Sequence, residues 1–346
     1  MTDTGFGNIA LCILPQSAFG TINATIAALT DTANAANGLV VGVGDAGDAQ
    51  SGITLPTFTR IGRDAARIGQ SSQADTFIRV SPAGLKIKFP LGGARNTSSN
   101  PTVAADFNLA TYWPGFDAIL KASGCSGAAD TLSHLYTATS DLTYASVGVW
   151  SGGYLDLFKD VVVSSLVFDS PPGDAGTVEA SFSTPSLVSR VLQALTTITT
   201  GNQATAVPVV KGAGNALGAT RPFESFTLTL TPTVEEAGDS NETSTGRRIR
   251  QTGFDVAGKA VMYAAASDPD FEMDALEASA PTGDMTFNIG SATGAAAVCK
   301  TYGVLLNNIV VRNTKKAKLG TYLGWESDFE GKAITTAGTE FTLKFF

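Results

Sequence analysis

PGFDAILKASG (Pro114–Gly124) and, further on, LVFDSPPGDAGTVEASF (Leu166–Phe182) decide how this chain is read. The first has the spacing of a short helix. Pro114 suits a first turn, where its missing N–H costs nothing; Phe116, Ile119 and Leu120 fall on one face, and Gly124 suits the C-terminus. The second reads as a hairpin around the turn PPGDAG. A degenerate copy runs from PDFEMDALEASA (Pro269–Ala280), with Asp268 as N-cap, to IVVRNTKKAKLGTYLGW (Ile309–Trp325). Both keep Pro-x-Phe, Leu-Lys/Glu-Ala-Ser, an apolar triplet and Gly-Thr in that order, which suggests a duplication. This alignment sets Leu166–Phe168 opposite Ile309–Val311 and puts Lys315–Lys318 (KKAK) at the turn that PPGDAG makes in the first copy.

Outside these segments the pattern is strand-like. The runs IALCILP and LVVGV near the start read as strands or an extended arm, and Thr76–Val80 and Leu85–Phe89 as strands. In LKIKF, Leu85, Ile87 and Phe89 alternate with Lys86 and Lys88, so one face belongs to a core and the other to solvent. The same alternation recurs at Val147 and Val149, at Val161 and Val163, and in SFTLTLTPTV, where Phe226, Leu228 and Leu230 oppose threonines. DMTFNIG, YGVLLNNIVVRN, TYLGW and the terminal GTEFTLKFF add further strands, the last apolar enough to require cover. SLVSRVLQALTTITT (Ser186–Thr200) has the spacing of an amphipathic helix. The acidic-then-basic Glu235–Arg250 reads as a projecting loop. The division that follows is 1–190 for a first unit with an N-terminal arm, 191–220 for a linker with a helix, and 221–346 for a second unit.

Composition narrows the function. At 346 residues the chain has room for two cores, and 16% charged against 43% hydrophobic residues, with abundant Gly, points to short strands and turns. A net charge of −8 argues against a surface built to grip phosphates, although a like-charged wall can guide DNA without holding it. Without a run of about 18 apolar residues or a basic-then-apolar leader, the expectation is a soluble protein made in a cytoplasm. Cys12, Cys125 and Cys299 fit no metal spacing and read as buried free thiols.

Other candidate sites weaken under the same reading. GVGDAG (Gly42, Gly44, Gly47) has the dinucleotide-fingerprint spacing, but Gly52 and Pro56 break the helix that this motif needs next. Arg60, Arg63 and Arg67 form a basic cluster better read as partners for acidic residues than as an anion site. His134, read as lying in a loop, has no nucleophile selected for it, and Lys315–Lys318 is too short for a nucleic-acid site. Trp113, Trp150 and Trp325 read as core rather than as binding platforms, and nothing fixes the spacing of Asp156, Asp160 and Asp169. No catalytic, cofactor-binding or metal residue is assigned.

The order of arm, looped strands, FDAILKASG helix, SVGVW, VVVSSLVF and GDAGTVEASF resembles the major tail tube proteins of long, non-contractile-tailed bacteriophages, over about residues 8–190 and again in the helix and final hairpin of the second half. The resemblance implies a mainly β (α+β) chain of two tandem sandwich- or barrel-like units, each with a short flanking helix. It implies sheets that join those of neighbours around a lumen, and rings that stack through long loops, by position Leu55–Gln73 and Glu235–Arg250, and through terminal segments. The expected function is a structural virion protein whose stacked rings form the tail tube for genome ejection, with transient passage of double-stranded DNA and no membrane. Its other partners would be a tape measure protein and tail-end proteins. A fused pair predicts trimeric, pseudo-hexameric rings, with true hexamers as the alternative. A β-sandwich binding or decoration module of a virion is the competing function, and an enzyme ranks last.

Overall fold

The structure is a computed structural model that describes residues 9–23, 26, 39–42, 52–62, 78–90, 94–96, 112–114, 117–129, 134–139, 143–171, 176–183, 186–192, 213–216, 219–238, 247–264, 285–289, 302–306, 309–331 and 341–345. In chain order these form β1 (Ala10–Pro15), β2 (Leu39–Gly42), β3 (Gly52–Thr54), β4 (Thr57–Gly62), β5 (Ile78–Ala83), β6 (Lys86–Pro90), β7 (Ala94–Asn96) and β8 (Tyr112–Pro114). Next come α1 (Asp117–Ala122), β9 (Cys125–Ala129), β10 (His134–Ala138), β11 (Ala145–Ser151), β12 (Tyr154–Ser170), β13 (Thr177–Ser183) and β14 (Ser186–Leu192). The second half supplies β15 (Ala213–Ala216), β16 (Ala219–Gly238), β17 (Arg247–Tyr263), β18 (Met285–Ile289), β19 (Tyr302–Leu306), β20 (Val310–Leu319), β21 (Tyr322–Gly331) and β22 (Phe341–Phe345). The protein is therefore mainly β, with antiparallel pairing throughout.

Among the described residues β4–β5 and β7–β8 are separate two-stranded pairs, and the other ladders resolve into three sheets because β12 and β16 each pass from one to another. Sheet I has the order β2–β1–β11–β12–β14. Sheet II is eight-stranded, β3–β6–β13–β12–β16–β17–β21–β20. Sheet III runs β9–β10–β22–β19–β18–β15–β16. Strand β12 leaves sheet I for sheet II at Asp160, whose φ of 56° lies in the left-handed region that Asp tolerates better than most residues. A buried cluster fixes this corner. The Asp160 N–H donates to Gln16 Oε1 (2.6 Å), while Asp160 Oδ1 accepts from Gln16 Nε2 (2.8 Å) and from the Gly20 N–H (2.7 Å).

Burial follows the alternation of side chains. Leu85, Ile87 and Phe89 of the β6 region, Leu166 and Phe168 of β12, and Phe226, Leu228 and Leu230 of β16 enter one main core. Their sequence neighbours point to the other side of sheet II. Strand β1 is apolar without interruption because both of its faces are covered: Leu11 and Ile13 join the main core, while Ala10, Cys12 and Leu14 pack with Ile26, Trp150 and Leu155. In β17, Gly258 makes room for the Phe329 ring, and a Cβ there would lie 2.6 Å from the Thr227 carbonyl oxygen. Pro232 of β16 lies opposite Phe254 of β17, beyond Leu230, where the β12 ladder ends.

Several expectations change. Pro114 ends β8, and the helix opens only at Asp117; Gly124, with φ of 81°, closes it as expected, and Ala118, Ile119, Leu120 and Ala122 are buried. The part of Ser186–Thr200 that is described is a strand, not a helix: β14 pairs with the N-terminal half of β12, and that open edge decides its conformation. His134 lies in a strand between β9 and β22 rather than in a loop. Within Leu55–Gln73, residues 57–62 are β4, and within Glu235–Arg250 the two ends are paired strand, Glu235 opposite Arg250 and Gly238 opposite Arg247. Lys315–Lys318 lies inside β20, and the turn falls at Gly320, with φ of 64°. The helix expected at Pro269–Ala280 lies outside the described residues. Strand β22 is covered on both sides, by β10 and β19. Among the described residues no helix is long and apolar enough to cross a membrane.

Candidate functional site

Sheet II is built as two four-strand blocks with one order of connections. In β3–β6–β13–β12 and in β16–β17–β21–β20 the strands come first, second, fourth and third along the chain. The registers agree residue by residue. Ile53 opposite Ile87 and Thr57 opposite Ala83 match Phe226 opposite Ala260 and Leu230 opposite Val256, so β3–β4 with β5–β6 is the counterpart of β16 with β17. Each hairpin continues beyond the sheet as a two-stranded arm, one leading to residues 63–77 and the other to residues 239–246.

A bulge marks the same place in both blocks. Ser164 is the extra residue between the pairs Val163↔Phe182 and Ser165↔Ser181, and Arg312 is the extra residue between Val311↔Phe329 and Asn313↔Asp328. The ion pair Lys86–Glu179 (3.7 Å) has its counterpart in Lys259–Glu326, with both partners in the corresponding ladder positions. These registers correct the sequence alignment. Ile309–Val311 stands where Val161–Val163 stands, not at Leu166–Phe168, because the bulges rather than the apolar triplets set the phase.

The side of sheet II away from the core is polar. It carries Lys86 and Lys88 on β6, Glu179 on β13, Asp169 on β12, Asp255 and Lys259 on β17, Glu326, Asp328 and Glu330 on β21, and Arg312 and Lys315 on β20. That makes five cations against six anions, interspersed with Thr227, Thr229 and Thr231 of β16. Four of these five cations are tied to anions on the sheet itself: Lys86 to Glu179, Lys259 and Lys315 to Glu326, with Lys315 Nζ 3.1 Å away, and Arg312 to Glu330, whose Oε2 accepts from Nη2 at 2.6 Å. Hydrogen bonds from Lys259 and Lys315 hold the Glu326 carboxyl below its usual value, and Glu330 raises Arg312 further.

The remaining candidates are not gathered into a site. Asp156 takes a two-pronged hydrogen bond from Arg190 (2.6 and 2.8 Å), Asp160 holds the β12 corner, and Asp169 accepts from the Thr227 hydroxyl at 2.9 Å. Arg190 also lies over the Phe58 ring, 5.2 Å from its centroid. Trp150 and Trp325 are each 1% exposed and belong to cores, while only the backbone of Trp113 is described. Gly42 ends β2 and residues 52–54 form the strand β3; Gly44 and Gly47 lie outside the described residues. Of the arginine cluster, Arg60 is in β4, and Arg63 and Arg67 lie outside. Among the described residues no group of three or more His, Cys, Asp or Glu side chains is placed to hold a metal.

Cys12 and Cys125 are buried and free, and Cys299 lies outside the described residues. Burial pushes both described thiols up to about 12. The expected result is that neither reacts with iodoacetamide at pH 8 in the folded protein and that both react once it is unfolded in urea. Peptide mass mapping reads this, and rapid native labelling of either would show that its surroundings open. No family model matches the chain, and no curated protein matches it.

Proposed function

We propose that this chain is a structural subunit that assembles into stacked rings, forming the tail tube through which the genome of a long-tailed, non-contractile bacteriophage leaves. One observation carries the reading: among the described residues, sheet II is a doubled block whose outer face mixes cations with anions and whose two end strands, β3 and β20, pair on one side only. An open edge of this kind calls for a partner strand. Three copies contribute twenty-four strands, and at about 4.8 Å between strands and a tilt of about 40° they close a barrel about 48 Å across between backbones. That leaves a bore wide enough for a DNA duplex. Closing the eight strands of one copy alone gives about 16 Å, which side chains fill. Six copies would give about 96 Å.

The two arms are the natural contacts between rings, and the tube would enclose a tape measure protein and end on other tail proteins. Negative-stain microscopy with native mass measurement tests the reading: rings of three chains, or tubes, support it, and dispersed single chains at all concentrations sink it. Six chains per ring, with one block held off the lumen, would replace the fused-pair account by the hexamer. Deletion of residues 239–245 leaves a folded chain that stacks poorly, and long tubes from this variant at ordinary concentration would remove the arm from assembly. Assembled tubes retain no duplex DNA at physiological ionic strength, where fields reach only about 8 Å. Filter binding that falls steeply with salt would show a basic lumen instead.

A further inference from the structure

Sheet II contains its own template for joining two copies. The ladder between β12 and β16 links the last strand of one block to the first strand of the other, in the register Leu166↔Leu230, Phe168↔Leu228, Asp169↔Thr227 and Ser170↔Phe226. Matched by bulge and ladder, β20 takes the place of β12 in the second block, and β3 with the start of β4 takes the place of β16 in the first. The two free edges of the sheet are therefore the same two edges that meet at its internal joint.

We propose that β20 of one copy pairs antiparallel with β3 of a second copy of this chain, in the register Thr314↔Thr57, Lys316↔Leu55, Ala317↔Thr54 and Lys318↔Ile53, and that Lys316 and Lys318 hold this joint weaker than the internal one. The ring that such joints close rests on the tube reading above; the register rests on the ladders of the fold.

The two lysines differ in kind from what they replace. Lys316 stands at the position of Phe168 and Lys318 at that of Ser170, both of which are 1% exposed in the internal joint. Thr314, next along this side of β20, is buried, whereas Lys316 and Lys318 are exposed, since the sheet ends there. At an open edge, charges on the core side let a free copy keep its ammonium groups in water, and they penalise any neighbour that pairs without giving those groups an outlet. The internal joint has the opposite character, with Phe168 packed beside Leu228. Free chains thus resist sideways sticking, while a neighbour in the matching register still satisfies the backbone N–H and C=O groups of both edges.

Paired cysteines test the register. The Thr227 hydroxyl meets Asp169 at 2.9 Å in the internal joint, so side chains at the corresponding Thr54 and Ala317 are close enough to bridge. Ala317→Cys with Thr54→Cys, oxidised after assembly, gives covalently linked multimers on a non-reducing gel. Ala317→Cys with Pro56→Cys, displaced by two residues, gives none, and neither do the single variants, which control for the native thiols. Lys316→Phe with Lys318→Ser, which restores the residues of the internal joint, lowers the concentration for assembly at least about tenfold, the scale of burying one large apolar side chain. Rings that cross-link only in the displaced pair, or in neither, overturn the register and leave the tube reading standing. An unchanged assembly concentration in the lysine variant overturns the role of Lys316 and Lys318. A chain that stays monomeric in every variant overturns both this joint and the tube.

Discussion

Phe226→Ala destabilises the folded chain by about 3–5 kcal/mol, the usual cost of truncating a fully buried aromatic side chain. Phe226 is 1% exposed in β16, next to the internal joint of sheet II, and stacks on Phe329 with ring centroids 5.8 Å apart. Its loss opens a cavity where the second block meets the first, so the whole sheet is affected. Against a total stability of about 5–15 kcal/mol, this is enough to leave a visible unfolded fraction in mild denaturant. Thr227→Ala, on the polar face of the same strand, gives up one hydroxyl hydrogen bond and costs only about 0.5–1.5 kcal/mol. Urea unfolding followed by circular dichroism separates the two. Equal losses would mean that the two faces of β16 are not differently buried.

The second large effect falls on the β12 corner. Asp160→Ala takes the acceptor Oδ1 from the half-buried Gly20 N–H and from the Gln16 amide, which keeps only its hydrogen bond to the Ala18 carbonyl, and puts alanine at a φ of 56°. At about 1–3 kcal/mol for the lost hydrogen bonding and about 1–2 kcal/mol for alanine in the left-handed region, the loss comes to about 2–5 kcal/mol. Asp160→Asn keeps an acceptor oxygen and a residue tolerant of the left-handed region, so it loses least. Asp160→Gly relieves the backbone but not the donors, and falls between the two. The order Asn, Gly, Ala in thermal unfolding is the signature. Hydrogen exchange in residues 16–23 should quicken in the same order, because that segment is tied to the corner through Gln16 and Gly20. If Ala and Asn behaved alike, the carboxylate would not be what holds this bend.

Much of the fold could be read locally. The alternation in LKIKF and SFTLTLT fixes which side chains are buried, since a strand turns successive side chains to opposite faces whatever its neighbours are. The unbroken run ALCIL reads as a strand or an extended arm, and β1 is a strand there; FDAILKASG foretells α1 and its glycine stop. The candidate site was legible only in outline: the balance of charge could be counted, but not its arrangement on one face.

Pairing decided the rest. SLVSRVL has apolar spacing that suits a helix, yet it is a strand because β12 offers it an open ladder and Asp156 and Phe58 hold Arg190. KKAK has the look of a turn, yet it extends β20 because β21 supplies partners through Leu319. The two halves align wrongly when apolar triplets are matched and correctly when the bulges at Ser164 and Arg312 are, since a bulge is defined only against its partner strand. Hydrophobic alternation depends on the strand alone and is written in the sequence. Strand order, register and the bend at Asp160 depend on hydrogen bonds between residues as far apart as Gln16 and Asp160, which only the tertiary structure brings together.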